Sequence, residues 1–419
     1  MSTLLQPEQR VLSTLEADGS RRWLTPKLSK GRFWQWRRVV AYLLIAIYAL
    51  APFVTINGRP AILLDLISRQ FTILGVTFLP TDSVLLSLLL VLVAVTIFAA
   101  TALAGRVWCG WACPQTVYME FVFRPLERLF TGRTGKGGPP AAVAAWRTIA
   151  FYASSLIVCW HLANMFLAYF VGAHRLHAWI WSAAPWEHPG PFAVVLFLTA
   201  LMMFDFCYWR EQLCIIGCPY GRFQSVMLDR NSAIIGYDEA RGEPRGKGRE
   251  REAAGLGDCI DCNQCVVVCP TGIDIRAGLQ MECIGCAQCI DACDAVMDKI
   301  NRPRGLVRYS SQAAMAKEPV RLLRPRVVLY TGLMALLLVA MGVVIVSQRA
   351  FDVVPLRGLG LPFTLTATGD VENVIRLRIV NFARRCLPRH TANHKRTSQH
   401  FGGPSGNRHG TRASRDSTS

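Results

Sequence analysis

Acidic side chains are the scarce class in this chain: 28 Asp and Glu stand against 46 Lys and Arg, a net charge of +18. Such an excess invites a nucleic-acid partner, but its placement argues otherwise. Phe382 to Ser419 alone holds eight basic residues against one acid, and much of the rest flanks apolar runs. Lipid headgroups account for that distribution better, so no nucleic-acid partner is expected. Histidine is scarce too, and His161 is the only one inside an apolar run. A haem held by two histidines on facing spans is therefore disfavoured. The segment up to Arg38 has no short apolar core followed by a small-residue site, so no cleavable signal peptide is expected. Charge of either sign is sparse beside the 52% hydrophobic residues, which is too apolar a balance for a soluble enzyme.

Cysteine is what the chain has in quantity, 15 in all, and eight of them fall in two runs. Cys259, Cys262, Cys265 and Cys269, followed by Pro270, read C-x2-C-x2-C-x3-C-P; Cys283, Cys286, Cys289 and Cys293 repeat the spacing without the proline. This is the pattern of a two-cluster ferredoxin, in which the fourth cysteine of each run crosses to the other cluster. One [4Fe-4S] cluster is assigned to Cys259, Cys262, Cys265 and Cys293, and the second to Cys283, Cys286, Cys289 and Cys269. Structural zinc is the alternative, since C-x2-C pairs also bind it, but zinc has no need of eight cysteines in a double quartet. Thiolate-bound clusters belong to a reducing compartment, so this segment should face the cytoplasm.

Five apolar stretches are long enough for a bilayer core of about 30 Å: Val39–Ile56, Ser83–Ala104, Thr148–Ala173, Pro191–Trp209 and Val327–Val346. The loop cations Arg106, Arg124, Arg128, Arg133, Lys136 and Arg147 lie on the same predicted side as the polybasic N-terminus. The expected architecture is a membrane α-helical protein with an inserted cytoplasmic ferredoxin-like segment. Residues 1–38 are a cytoplasmic lead, 39–209 a four-helix domain and 210–326 the cytoplasmic insert, with its clusters at about 255–300. A fifth span covers 327–346, an outer β segment 347–381 and a disordered tail 382–419. Thr364–Ala367 and Val374–Val380 have the β-branched character of strands.

Two further pairs stand just past inward-running spans: Cys109 and Cys113 before Pro114, and Cys214 and Cys218 before Pro219. Each reads C-x3-C-P, an internal repeat that puts four thiols at one membrane surface. Residues i and i+4 share a helix face, so each pair could clasp a soft ion such as Cu(I), which accepts two thiolates. Buried structural cysteines are the plain alternative. Asp205 lies within a span, where a carboxylate is either functional or the partner of Arg210 or Arg222. His174, His177 and His188 crowd an outer loop, and Cys159 accompanies His161. Trp34, Trp36, Trp108, Trp111, Trp179, Trp181 and Trp186 read as interfacial anchors.

Together Cys259–Gln280, Glu282–Asp294, Asn57–Arg59, Trp108–Val117, Cys214–Gln224 and Gly305–Tyr309 closely resemble the CcoG/FixG family of cytochrome c oxidase accessory proteins. The resemblance covers roughly Leu24 to Asn381. It implies five spans, two [4Fe-4S] clusters and an outer immunoglobulin-like domain, here truncated because Phe382 onward departs from the family. It also implies reduction of Cu(II) to Cu(I) for assembly of a haem–copper oxidase in a bacterial inner membrane. Cys109, Cys113, Cys214 and Cys218 would match the family's membrane pairs, with copper as substrate or transient ligand. The implied partners are the lipid bilayer, copper-transport and oxidase-assembly proteins, a soluble electron donor and a second copy of the chain. A membrane ferredoxin subunit passing electrons from quinol or a soluble donor to a periplasmic reductase is the other reading.

Overall fold

The structure is a computed structural model. It describes residues 13–15, 21–56, 58–66, 70–78, 83–132, 143–182, 186–247, 255–321, 323–347, 351–356, 364–365, 371–381 and 409–413. The chain divides into two compact units, Met1–Val339 and Ala340–Ser419.

Among the described residues, four helices are long and apolar enough to cross a bilayer: Val84–Ala104, Ala145–Val171, Pro189–Trp209 and Pro325–Ser347. The expected first span, Val39–Ile56, is corrected. Its helix runs Arg32–Leu50, starts with arginines, and gives way to a strand pair, Thr55–Ile56 with Arg59–Pro60. Only residues 39 to 50 of the helix follow Arg38, about 18 Å at 1.5 Å per residue, short of the apolar core. Pro52 cannot continue the hydrogen-bond ladder, which sets the stop. The helix is nonetheless pinned at both ends. Gly31 offers no capping side chain, and Asp291 of the cysteine-rich segment caps instead, accepting from the backbone N–H of Phe33 (3.1 Å) and Trp34 (2.8 Å). At the other end the Tyr169 hydroxyl donates to the Tyr48 carbonyl at 2.6 Å, near the close of helix Ala145–Val171.

The stretch between the first two helices folds as a meander of Ile62–Asp65, Gln70–Ile73 and Val76–Phe78. Its second turn uses Leu74 and Gly75, both at positive φ, as a tight two-residue hairpin requires.

The insert packs around its cysteines. Ile234–Tyr237 pairs antiparallel with Val307–Ser310, and Ile235, Val268, Ile273, Ile275, Ile290, Met297, Leu306 and Val307 bury their side chains with Cys259, Cys265 and Cys289.

In the second unit, Phe351–Leu356, Thr364–Leu365 and His409–Ala413 all pair with one long strand, Val371–Asn381. What is described there is a single set of strands about that one, not the two packed sheets of an immunoglobulin sandwich. The expected disorder from Phe382 onward is corrected at His409–Ala413, which pairs parallel with Val371–Ile375. An unpaired strand edge offers a ready row of donors and acceptors for such an addition. The other residues of that tail lie outside those described.

Candidate functional site

The two cysteine runs adopt one backbone conformation twice. In the first, Asp261 and Asn263 have positive φ; in the second, the corresponding Gly285 and Ala287 do. A left-handed conformation costs a non-glycine residue about 1–2 kcal/mol, so three such residues are held there by their surroundings. Arg276 does this for the first run, donating to Asp261 Oδ1 (2.6 Å), Asn263 Oδ1 (2.6 Å) and Asp274 Oδ2 (2.8 Å). In the second run the Tyr309 hydroxyl donates to the Gly285 carbonyl at 2.6 Å. Alternating handedness turns successive N–H groups inward, the nest that favours sulfide and thiolate charge.

Each run curls beside a cavity, and the cavities sort the cysteines. One is lined by Cys259, Cys262, Cys265 and Cys293. The other is lined by Cys269, Cys283, Cys286 and Cys289, and Cys265 lines both. The fourth cysteine of each run thus stands with the other run's first three. Zinc would require four donors about 2 Å from a common point. Among the described residues no three His, Cys, Asp or Glu side chains converge that tightly. Burial pushes the Cys283 and Cys286 thiols up to about 11, so it takes a bound metal to draw off their protons. Donor set and nest fit a [4Fe-4S] group in each.

The C-x3-C-P segments lie against this module. Val107–Trp111 carries Cys109, and Cys113 then caps a helix that opens with Pro114. Cys218 likewise caps Pro219–Met227. Proline at the first helical position loses no bond, and this fixes the second thiol of each pair at a helix start. The four thiols are near enough to perturb one another. Burial drives Cys109 up to about 12 and raises Cys214, with the neighbouring cysteines adding to both. Cys113 is raised by burial, against the N–H groups of Thr116 and Gln115. The Cys109 thiol donates to Gln224 Oε1 at 2.9 Å.

A layer of buried ions joins the two regions, and it was not read from the sequence. Arg106, expected as a loop cation facing lipid, is 8% exposed and donates to the carbonyls of Met281 and Cys283 and to Gln224. Arg124, another expected loop cation, is 3% exposed; it pairs with Glu120 and Glu211 and donates to the Pro270 carbonyl at 3.3 Å. Trp111, expected as a lipid anchor, instead donates to the Tyr309 hydroxyl at 3.0 Å. Gly110 touches the second run so closely that an added Cβ would stand 2.7 Å from the Ile284 carbonyl oxygen.

The remaining candidates separate. Asp205 accepts from Gln115 at 3.1 Å, while Arg210 pairs with Glu127 at 3.0 Å. Cys159 is buried in Ala145–Val171, on which His161 is exposed. His174 and His177 lie on Ala173–Ser182, and His188 stacks on Trp179.

Comparison with known proteins places iron–sulfur domains on these segments. A 4Fe-4S dicluster domain matches residues 209–312 and a 4Fe-4S binding domain matches 86–133. The nitrogen fixation protein FixG of Rhizobium meliloti is 32% identical, over 86% of this chain and 77% of its own length. Protein RdxA of Cereibacter sphaeroides is 33% identical, over 85% and 79%. The ferredoxin-type protein NapH of Haemophilus influenzae is 24% identical, over 57% and 87%. No solved structure matches significantly.

Proposed function

Since the chain belongs to the FixG/CcoG polyferredoxin family, a membrane-associated 4Fe-4S electron-transfer protein, we propose that it reduces Cu(II) to Cu(I) at its paired thiols. The product would supply copper for assembly of a haem–copper oxidase. The observation carrying this reading is the contact of Gly110, one residue from Cys109, with the Ile284–Gly285 backbone between two cysteines of the second run.

Cys259, Cys262, Cys265 and Cys293 would hold one [4Fe-4S] group, and Cys283, Cys286, Cys289 and Cys269 the other. Such groups supply one-electron carriage at negative potential. Around them the chain positions and insulates. Arg106 ties the second run to the C-x3-C-P segments through Cys283 and Gln224. Cys109, Cys113, Cys214 and Cys218 receive the copper ion, and their soft sulfurs favour the cuprous state. The redox step itself consumes one electron from a soluble donor and moves no proton; the protons of the thiols leave as copper binds to their sulfurs.

In this reading the cysteine-rich segment faces the cytoplasm of a bacterial inner membrane. Asp291 holds the start of helix Arg32–Leu50 to that face while Tyr48 meets the far end of Ala145–Val171. Partners would be copper-transport and oxidase-assembly proteins, the soluble donor and a second copy of the chain.

The likeness to NapH favours the second reading, transfer from quinol or a soluble donor to a periplasmic reductase. Reduced protein mixed anaerobically with Cu(II) and a Cu(I)-specific chelator tests the first. Stoichiometric Cu(I) supports it; no Cu(I), with rapid reduction of the clusters by quinol, establishes the second.

A further inference from the structure

Arg37 is fully buried, the largest such side chain described. Its Nε donates to the Gly110 carbonyl at 2.8 Å, its guanidinium lies 5.6 Å over Phe121, and neither terminal nitrogen has a hydrogen-bond partner. The titratable groups facing it are Cys286, Tyr309 and Asp291. An unbalanced buried cation is strongly unfavourable. Asp291 already serves the N–H groups of Phe33 and Trp34. The Tyr309 hydroxyl already donates to Gly285 and accepts from Trp111. Asp291 forms no ion pair with Arg37 and spreads its charge over those two backbone N–H groups, so the thiolates beside Cys286 supply the rest of the counter-charge. The other cavity lacks this feature, because its arginine, Arg276, is matched by Asp261 and Asp274.

We infer that Arg37 is a positioning residue for charge: it makes the cavity of Cys269, Cys283, Cys286 and Cys289 the preferred resting place of the electron, beside Gly110 and Cys109. A fixed cation in a water-poor site stabilises the more negative of two redox states. The electron is thus held on the side of the thiol pairs rather than at Cys259. This rests on the reading that both cavities hold [4Fe-4S] groups.

The test is an EPR-monitored redox titration of the full-length protein, purified without oxygen, for wild type, Arg37→Met, Arg37→Lys and Asp291→Asn. Cys262→Ser identifies which one-electron wave belongs to the first cavity. In Arg37→Met the other wave should fall, with the electron's distribution moving at least tenfold toward the Cys259 cavity, or 59 mV for one electron. Arg37→Lys should restore most of that shift. Asp291→Asn, which removes an opposing charge, should move the same wave upward, and it carries the test if Arg37→Met does not assemble. Unmoved waves, or equal shifts in the Met and Lys variants, overturn the inference. A wild-type preparation without acid-labile sulfide overturns the cluster reading instead.

Discussion

Gly110 and Gly285 meet backbone to backbone: a Cβ built on Gly110 would lie 2.8 Å from the carbonyl carbon and oxygen of Gly285. Only the absence of a side chain lets the first C-x3-C-P segment sit on the second cysteine run. Gly110→Ala must push them apart, because the obstacle is backbone rather than a mobile side chain. Misplacement on the 1 Å scale can cost about a hundredfold in rate. We predict Cu(II) reduction slowed tenfold to a hundredfold, with iron content unchanged, measured by stopped-flow oxidation of the reduced protein.

The crossed grouping of cysteines predicts which substitution empties which cavity. Cys293→Ser should abolish the centre shared with Cys259, Cys262 and Cys265, although Cys293 follows Cys289 in sequence. Cys269→Ser should abolish the other. Each should halve bound iron and sulfide. Elemental analysis with EPR checks this, and loss in either variant of the signal from the substituted cysteine's own run, rather than from the other, would reverse the pairing.

Glu211 faces Arg21, Arg124 and Arg210 at 3.5–3.6 Å, with its side chain 3% exposed. Glu211→Gln leaves buried arginines short of a countercharge. Breaking a buried ion pair by removing one partner costs about 3–5 kcal/mol. A lowered unfolding temperature, with new protease sensitivity between Arg210 and Gln224, is the expected result.

Asp229 clasps the base of the last helix through Arg324. Burial pushes its carboxyl up, but the N–H groups of Asn231 and Ser232 and the Arg324 guanidinium outweigh this and hold it below the usual range. A depressed folded-state value gives stability that is complete above the unfolded value, about pH 4, and is lost as pH falls through the folded one. The unfolding temperature of Asp229→Asn should therefore lie below wild type near neutrality and converge with it in acid. A difference independent of pH would show that the pair contributes by packing alone.

The cysteine chemistry was legible because cluster ligation imposes short, fixed spacings. Cys259 to Cys269 and Cys283 to Cys293 announced two quartets, and the crossed grouping followed from the same pattern. Four of five spans were equally plain, being long apolar runs. Other features depend on distant partners. Arg106 and Arg124 looked like surface cations because nothing near them in sequence shows that Cys283 or Glu211 will cover them. Gln288 reaches Glu120 across 168 residues. The start of helix Arg32–Leu50 hides its cap in Asp291, 257 residues away from Trp34 in sequence. The family resemblance supplied copper and the oxidase, which no residue spacing states.

The most direct test compares wild-type protein with the variant carrying Ser at Cys109, Cys113, Cys214 and Cys218. Both are reduced anaerobically and mixed with Cu(II) under a Cu(I)-specific chelator. The account predicts that both keep their iron–sulfur absorbance, and that wild type reoxidises rapidly as Cu(I) forms while the variant stays reduced. Equal rates of Cu(I) formation in the two proteins would contradict it.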